Sequence, residues 1–294
     1  MPTVPIRPAQ SAVNESRILD FVIPLSAGTK SGENEPMSKK ILIIANWKMN
    51  PSSLAKAVLL AQKIEKSAKY APNAEIVVAP PFPFLVPIAK VLRKAKLGAQ
   101  DLFWEERGAY TGEISADMLR DDCVSYCIIG HSERRALGET DKQINKKIKT
   151  ALKNRIIPVL AIGEKKRMPE IKIRRILETQ LKKDLNGISK IAFKNGVIAY
   201  EPVWAIGTGL SATPEHARIA LAAIQEILKR LWKTTNTSTR ILYGGSVNAK
   251  NAAPFVSSNG GGMDGMLVGG ASLHPIEFVK IVKSAAKLEK ISDF

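Results

Sequence analysis

Eight short apolar runs recur along the chain from Ile41 onward, and a longer stretch with helical periodicity follows each of them. Most runs are continuously apolar instead of alternating apolar and polar residues, as expected for parallel strands covered on both faces. The pattern therefore predicts eight strands of a parallel sheet. The runs are I-L-I-I-A-N from Ile41, E-I-V-V-A-P from Glu75, K-L-G-A-Q-D from Lys96, C-I-I-G-H from Cys127, I-P-V-L-A-I-G-E from Ile157, G-V-I-A-Y-E from Gly196, R-I-L-Y-G-G from Arg240 and G-M-L-V-G-G from Gly265.

Helices are predicted in the stretches between these strands. Thr213 followed by Pro214 is typical of a helix start, since proline suits the first helical position. A second helix is predicted to open at Ser52, with one apolar face formed by Leu54, Val58, Ala61 and Ile64. Eight strands alternating with helices over residues 37–294 predict an α/β fold, a (β/α)8 TIM barrel. The structural rival is a doubly wound open sheet, but no G-x-G-x-x-G follows an early strand.

Residues 1–36 differ from the rest of the chain in composition. They are rich in proline, serine and polar residues, which predicts a disordered N-terminal extension. The apolar piece at 21–25 is too short for a signal-peptide core, and the acidic residues disfavour a transit peptide. No apolar run reaches membrane-spanning length. A cytoplasmic protein that does not bind a membrane is predicted.

The formal net charge of +17 attracts anions, whether phosphate metabolites or nucleic acid. The basic residues are spread over helical stretches, however, without a dense basic arm or an aromatic–basic RNA motif. Most of the charge is interpreted as solvated surface, and nucleic acid is not the expected partner. Cys123 and Cys127 have no second pair with which to build a zinc site, so no metal and no cofactor are predicted.

Candidate chemistry lies at the predicted carboxyl ends of the strands, where such barrels place their active sites. Strand six ends in Glu201, and the loop after it contains Gly207 and Gly209. A carboxylate on a rigid strand beneath a loop that excludes water suits proton abstraction. Strand one ends in Lys48, whose ammonium can hold a phosphate and polarise a carbonyl oxygen. Taken singly, each residue also fits an ordinary solvated surface position.

Strand four ends in G-H-S-E-R-R from Gly130, and His131 is the one histidine of three that ends a strand. Backbone N–H groups of a following helical turn would favour its neutral form, which can donate a hydrogen bond to a developing oxyanion. Glu133 is predicted to orient Lys48, and Arg134 and Arg135 to brace the loops. A structural histidine held by backbone is the alternative for His131 alone.

Glycine pairs follow strands seven and eight, at Gly244-Gly245-Ser246 and at Gly269-Gly270. Glycine lets backbone N–H groups approach an anion, and a phosphate site after these two strands recurs in this architecture. Base, oxyanion donor and phosphate cradle together indicate cofactor-free proton transfer next to a carbonyl on a small phosphorylated substrate.

Six segments that occur in order along the chain resemble the triosephosphate isomerase family. They are A-N-W-K-M-N from Ala45, G-A-Y-T-G-E-I-S from Gly108, I-I-G-H-S-E-R-R from Ile128, A-Y-E-P-V-W-A-I-G-T-G from Ala199, Y-G-G-S-V from Tyr243 and D-G-M-L-V-G-G-A-S-L from Asp264. As a set they are highly specific, and they span nearly everything after the N-terminal extension. The sequence departs from the family pattern at Asp101, Ala161 and the stretch 210–212, none of which supplies a catalytic group.

The resemblance implies interconversion of dihydroxyacetone phosphate and D-glyceraldehyde 3-phosphate, a step of glycolysis and gluconeogenesis. It implies that Glu201 moves the proton through an enediolate, that His131 and Lys48 stabilise its oxygens, and that Asn46 assists them. It further implies that Asn46 and Lys48 also bind substrate, and that the phosphate is held by Gly207, Ser246, Gly269 and Gly270. Glu133 and Ser132 would support the site. A homodimer is implied, in which the loop with Tyr110, Thr111 and Gly112 inserts beside the neighbouring subunit's site.

Two other functions are weighed against this one. Another phosphate-binding barrel enzyme, such as a sugar-phosphate epimerase or an aldolase, would require metal-binding His and Asp at strand ends or a Schiff-base lysine, and neither pattern is evident. A binding protein that uses its basic surface for nucleic acid or an anionic partner would not require Lys48, His131 and Glu201 together.

Overall fold

The computed structural model describes residues 40–68, 71–207, 211–257 and 261–288. Within them the predicted eight strands form one closed barrel in the order β1 to β8, and all neighbouring strands are parallel. The predicted barrel is thereby confirmed. The predicted N-terminal extension, residues 1–36, lies outside the described residues, so the domain boundary after it stays a prediction.

Each predicted apolar run overlaps one strand of the barrel, and the second and fourth strands begin one residue before their runs. The strands are β1 (Ile41–Asn46), β2 (Ala74–Ala79), β3 (Lys96–Ala99), β4 (Tyr126–Ile129), β5 (Ile157–Ile162), β6 (Val197–Tyr200), β7 (Arg240–Tyr243) and β8 (Gly265–Val268). They are almost entirely buried, because helices cover the outer face and the opposite strands cover the inner face. This two-sided burial explains why the runs are continuously apolar.

The helices alternate with the strands along the described chain. They are α1 (Leu54–Ser67), α2 (Leu85–Ala89), α3 (Ala116–Asp121), α4 (Ser132–Ala136), α5 (Asp141–Lys153), α6 (Glu170–Asp184), α7 (Pro214–Leu231), α8 (Ala252–Val256) and α9 (Pro275–Leu288). Short 3-10 turns at Phe82–Phe84, Val203–Ala205 and Gly270–Leu273 follow three of the strands. Among the described helices, none is both long enough and apolar enough to cross a membrane.

Two hydrophobic clusters hold the barrel together. One fills its interior with alternate residues of the strands, because successive side chains of a strand point to opposite faces. The inner set includes Leu42 and Ile44 from β1 and Leu242 from β7. The larger cluster, which includes Ile43, Ile64 and Phe278, lies between the strands and the surrounding helices. The rigid strands position whatever side chains follow their carboxyl ends.

Helix α7 begins as predicted, with Pro214 in its first turn and the Thr213 hydroxyl accepting the His216 N–H at 3.1 Å. The predicted start of α1 is wrong by one residue. Ser53, not Ser52, is the N-cap, and its hydroxyl accepts the Lys56 N–H at 3.4 Å. Two adjacent serines are equally good caps by composition, and burial of Ala57, Leu60 and Ile64 sets which one the helix uses.

Candidate active site

A cavity of about 320 Å³ opens at the carboxyl ends of the strands. Its walls come from loops after five strands, so residues far apart in the sequence converge there. Every catalytic and phosphate-binding residue predicted from the sequence contributes to the lining. The lining includes Asn46, Lys48, His131, Glu201, Gly207, Gly244, Ser246, Gly269 and Gly270.

Glu201 directly follows β6 and is almost fully buried, with 2% of its surface exposed. Two glycines make room for it. A Cβ on Gly163 would clash with the Glu201 backbone oxygen, and a Cβ on Gly244 would lie 2.9 Å from Glu201 Cγ. The Ser132 N–H donates to Glu201 Oε2 at 2.9 Å. Backbone at the ends of β5 and β7 therefore packs against Glu201, and the N–H group after β4 fixes its carboxylate.

His131 Nε2 lies 3.1 Å from Glu201 Oε1. Burial raises the pKa of the Glu201 carboxyl, but the neighbouring imidazole and the Ser132 N–H lower it by more, so the pKa lies below its usual value. The site thus holds a carboxylate that is ionised at neutral pH despite its burial.

His131 is the N-cap of α4, and its Nδ1 accepts the Glu133 N–H at 3.3 Å. An Nδ1 that accepts a hydrogen bond carries no proton, so the neutral ring has its proton on Nε2, which faces Glu201. Burial lowers the pKa of His131, whereas the carboxylates of Glu201 and Glu133 raise it by more. The increase in the pKa of His131 therefore depends on its contact with Glu201.

Lys48 follows β1 in a left-handed conformation, with φ of 53°. Its N–H donates to Asn46 Oδ1 at 3.0 Å, and its carbonyl accepts from Gln100 Nε2 at 2.8 Å. Its ammonium lies 2.6 Å from Glu133 Oε1. A Cβ on Gly269 would lie 3.2 Å from Lys48 Cε, so the glycine leaves room for the Lys48 side chain. Asn46 and Gln100 hold the strained backbone, and Glu133 holds the ammonium of a side chain that lines the cavity.

The predicted phosphate cradle also lines the cavity. Gly207 has a left-handed φ of 71°, and a Cβ on Gly270 would meet nothing within 4 Å. The Ser246 hydroxyl donates to the Ala205 carbonyl at 2.5 Å, which ties the loop after β7 to the loop after β6. Gly209, also predicted for this loop, lies outside the described residues.

The chain matches the sequence model of triosephosphate isomerase over residues 41–285. The chain belongs to the triosephosphate isomerase family. Relatives named triosephosphate isomerase include one from Dehalococcoides mccartyi, 46% identical over 86% of this chain and 100% of the relative. Another, from Dictyoglomus thermophilum, is 46% identical over 84% of this chain and 100% of the relative. One from Caldanaerobacter subterraneus is 44% identical over 83% of this chain and 99% of the relative.

In this member of the triosephosphate isomerase family, the three residues predicted for the dimer loop are exposed on a loop outside the cavity wall. Tyr110 is 45% exposed, and Thr111 and Gly112 are exposed beside it. The Phe103 N–H donates to the Ile114 carbonyl at 2.8 Å, and the Phe103 and Tyr110 rings lie 4.8 Å apart. The loop is therefore closed at its base and presents its tip to solvent.

The two arginines predicted to brace the loops do so through buried acids. Arg135 donates to the Gly130 carbonyl at 2.8 Å, and its guanidinium lies 2.6 Å from Asp184. Arg134 lies 2.7 Å from Asp101. Asp101 also pairs with the buried Lys147 at 2.7 Å. Each arginine thereby ties the loop after β4 to a neighbouring element.

Sequence reasoning missed two supporting residues. Gln100 holds the Lys48 and Ala79 carbonyls, at 2.8 and 2.9 Å. Glu164, fully buried after β5, accepts hydrogen bonds from Tyr200 and Trp204. Neither Gln100 nor Glu164 has a sequence signal for such bonds, apart from its place within two residues of the end of a strand. Among the described residues, no group of three His, Cys, Asp or Glu side chains could hold a metal ion.

Proposed function

We propose that this chain interconverts dihydroxyacetone phosphate and D-glyceraldehyde 3-phosphate without a cofactor, with Glu201 as base and His131 as oxyanion donor. The observation that carries the proposal is the 3.1 Å approach of His131 Nε2 to Glu201 Oε1 in the cavity that Lys48 lines. A base, a hydrogen-bond donor and a cation converge where a small substrate with a carbonyl group fits.

The proton transfer follows from the state of each group. The ionised Glu201 carboxylate removes the proton from the carbon next to the carbonyl. The electron pair of that C–H bond forms the C=C bond of an enediolate, and the π electron pair of the carbonyl moves to its oxygen. The His131 Nε2–H donates to the resulting enediolate oxygen. Glu201 then returns the proton to the adjacent carbon while the hydroxyl proton of the enediolate passes from one oxygen to the other, which completes the exchange of aldehyde and ketone with no net change in atoms.

A neutral His131 is the form that suits this step. Because His131 Nδ1 accepts a hydrogen bond from the Glu133 N–H, the neutral ring carries its proton on Nε2, which faces the cavity. The carboxylate of Glu201 is the chief reason that the pKa of His131 rises. With a substrate between the two side chains, their charges are further apart, and this upward effect weakens.

The remaining site residues would bind the substrate. The Lys48 ammonium offers positive charge to the substrate oxygens and the phosphate, and Asn46 holds the lysine backbone. Backbone N–H groups at Gly207, Gly269 and Gly270, with the Ser246 hydroxyl, would receive the phosphate. Glu133 would orient Lys48 and Ser132 would orient Glu201, in line with their hydrogen bonds.

The test of this proposal is a substrate panel in which the triose is assayed with EDTA and the other two substrates are assayed both with EDTA and with added divalent metal ion. We expect fast isomerisation of D-glyceraldehyde 3-phosphate, together with no epimerisation of D-ribulose 5-phosphate and no cleavage of fructose 1,6-bisphosphate. Coupled assays with the purified full chain measure all three. Turnover of the pentulose or the bisphosphate, with none of the triose, would instead favour the epimerase or aldolase that the sequence left as alternatives.

We also propose that the chain forms a homodimer through the loop that carries Tyr110, Thr111 and Gly112. Two large apolar side chains support this, because Met49 is 93% exposed beside Lys48 and Leu137 is 86% exposed at the end of α4. Burial of such side chains stabilises association. The cytoplasmic location stays a prediction. That the basic surface does not bind nucleic acid also stays a prediction.

A further inference from the structure

His216 is a titratable side chain that the proposed reaction does not use. It lies in the first turn of α7 and is largely covered, with 17% of its side chain exposed. Its Nε2 is 2.8 Å from the Tyr200 hydroxyl and 3.5 Å from Glu164 Oε1. Its ring meets the Trp204 ring edge-on, with centroids 5.5 Å apart. The side chain therefore contacts both sides of the segment that contains Glu201.

A chain of hydrogen bonds links these residues to the site. The Tyr200 hydroxyl lies 3.0 Å from each oxygen of the buried Glu164 carboxylate. Trp204 Nε1 donates to the same carboxylate at 2.7 Å. Tyr200 directly precedes Glu201, and Trp204 is three residues beyond it in the turn that leads to Gly207. Glu164 thus anchors the chain just before and just after the proposed base.

The direction of the His216 bond follows from the count of protons. The Tyr200 hydroxyl has one hydrogen, and burial together with Glu164 raises its pKa far above the usual value, so it remains protonated. A buried carboxylate requires donors, which assigns that hydrogen to Glu164. The short contact between His216 and Tyr200 is then a hydrogen bond donated by the His216 Nε2–H to the tyrosine oxygen.

We infer that His216 is a positioning residue, which fixes the Tyr200 hydroxyl toward Glu164 and thereby holds the segment from Tyr200 to Gly207 against the cavity. This inference rests on the proposed function, since that segment contains the base and part of the predicted phosphate cradle. Without the donor, the Tyr200 hydrogen can turn away from Glu164. The carboxylate then loses a buried donor, and Trp204 loses a fixed acceptor.

Two substitutions separate the hydrogen bond from packing. His216→Leu keeps an apolar side chain of similar size against Trp204 but removes the donor. His216→Gln places an amide N–H at a similar reach. The exposed His274, changed to Gln, serves as the matched control, because it removes a histidine without touching this hydrogen-bond chain.

We expect His216→Leu to raise KM for D-glyceraldehyde 3-phosphate by about 5- to 10-fold, as loss of one buried hydrogen bond allows, with kcat changed about twofold or less. His216→Gln and His274→Gln should remain within about twofold of the parent chain. Lower overall stability would instead reduce the active fraction, which lowers apparent kcat and leaves KM unchanged. A His216→Leu chain with unchanged KM, or a His216→Gln chain as impaired as His216→Leu, would overturn the inference.

A second readout does not require turnover. In the full chain labelled with 5-fluorotryptophan, the 19F resonance of Trp204, assigned with Trp204→Phe, should shift in His216→Leu and return in His216→Gln. An unmoved resonance in His216→Leu would contradict the positioning role. If the parent chain fails to isomerise the triose, the proposed function fails, and this resonance still decides whether His216 controls the Trp204 environment.

Discussion

At the scale of single residues, the site depends on glycines that leave space as much as on the charged side chains that fill it. Gly163 and Gly244 surround Glu201 so closely that a methyl group on either would displace the proposed base. Gly269 leaves room for the Lys48 side chain in the same way. The sequence suggested that the glycines after β7 and β8 bind phosphate, and the geometry adds that Gly244 and Gly269 clear space for the two charged side chains.

Glu75 forms a second charged cluster at the opposite end of the barrel. Its carboxylate accepts from the Tyr126 hydroxyl and lies 2.6 Å from both Arg240 and Lys96. Burial raises the pKa of Glu75, but hydrogen bonds from Lys96, Tyr126 and Arg240 lower it by more, to about 2. The folded chain therefore holds this carboxylate ionised at pH values where the unfolded chain would protonate it.

The stability of the protein should depend on pH through Glu75. Because its pKa in the folded state is below the value of 4.5 for an unperturbed glutamate, its contribution is present above pH 4.5 and is lost as the pH falls toward about 2. Urea unfolding across this range should show a steeper loss of unfolding free energy in the parent chain than in Glu75→Gln. Asp121→Asn, at an exposed acid, is the control. Equal slopes for the parent and Glu75→Gln would contradict this account.

At the scale of elements, the apolar runs predicted all eight strands, because strands that are buried on both faces consist almost entirely of apolar residues. The helix starts were less certain from sequence. Thr213 with Pro214 marks α7 correctly, whereas Ser52 and Ser53 are chemically equivalent and α1 uses the second. Packing of α1 against the barrel decides between the two serines. That packing involves residues far away in the sequence, so the local pattern does not reveal it.

The same limit applies to the supporting residues of the site. Glu201, His131 and Lys48 could be found because each ends a strand, and the barrel brings strand ends together. Gln100 and Glu164 act through hydrogen bonds to backbone or side chains from other strands, and no spacing within the sequence encodes such partners. The candidate site was thus predictable in its reacting groups and not in the network that holds them.

At the scale of the whole molecule, many basic residues of the described chain occupy exposed helical positions, as expected for a solvated surface. The exposed apolar side chains, in contrast, would stabilise association if they were buried in an interface. Met49 lies beside Lys48, Leu137 ends the helix that His131 caps, and Tyr110 lies on the predicted dimer loop. The proposed dimer would cover them and support the loops of the active site.

The dimer proposal predicts a specific effect of charge at its surface. Leu137→Asp should shift sedimentation equilibrium toward monomer at micromolar concentration and lower activity on dilution, because a carboxylate in an interface core is costly to bury. Ile191→Asp is the matched control, since Ile191 is 81% exposed on the turn after α6. A parent chain that sediments as a monomer would contradict the proposal, as would equal effects of the two substitutions.

The central claim is that the Glu201 carboxylate moves the proton, and the most direct test shortens that side chain by one methylene. We expect Glu201→Asp to lower kcat/KM for D-glyceraldehyde 3-phosphate by about 10²-fold or more, since the base then lies about 1 Å from its productive position. Glu215→Asp, an exposed glutamate of α7, should leave kcat/KM unchanged within about twofold. A folded Glu201→Asp chain that retains the activity of the parent would contradict the assignment of the base.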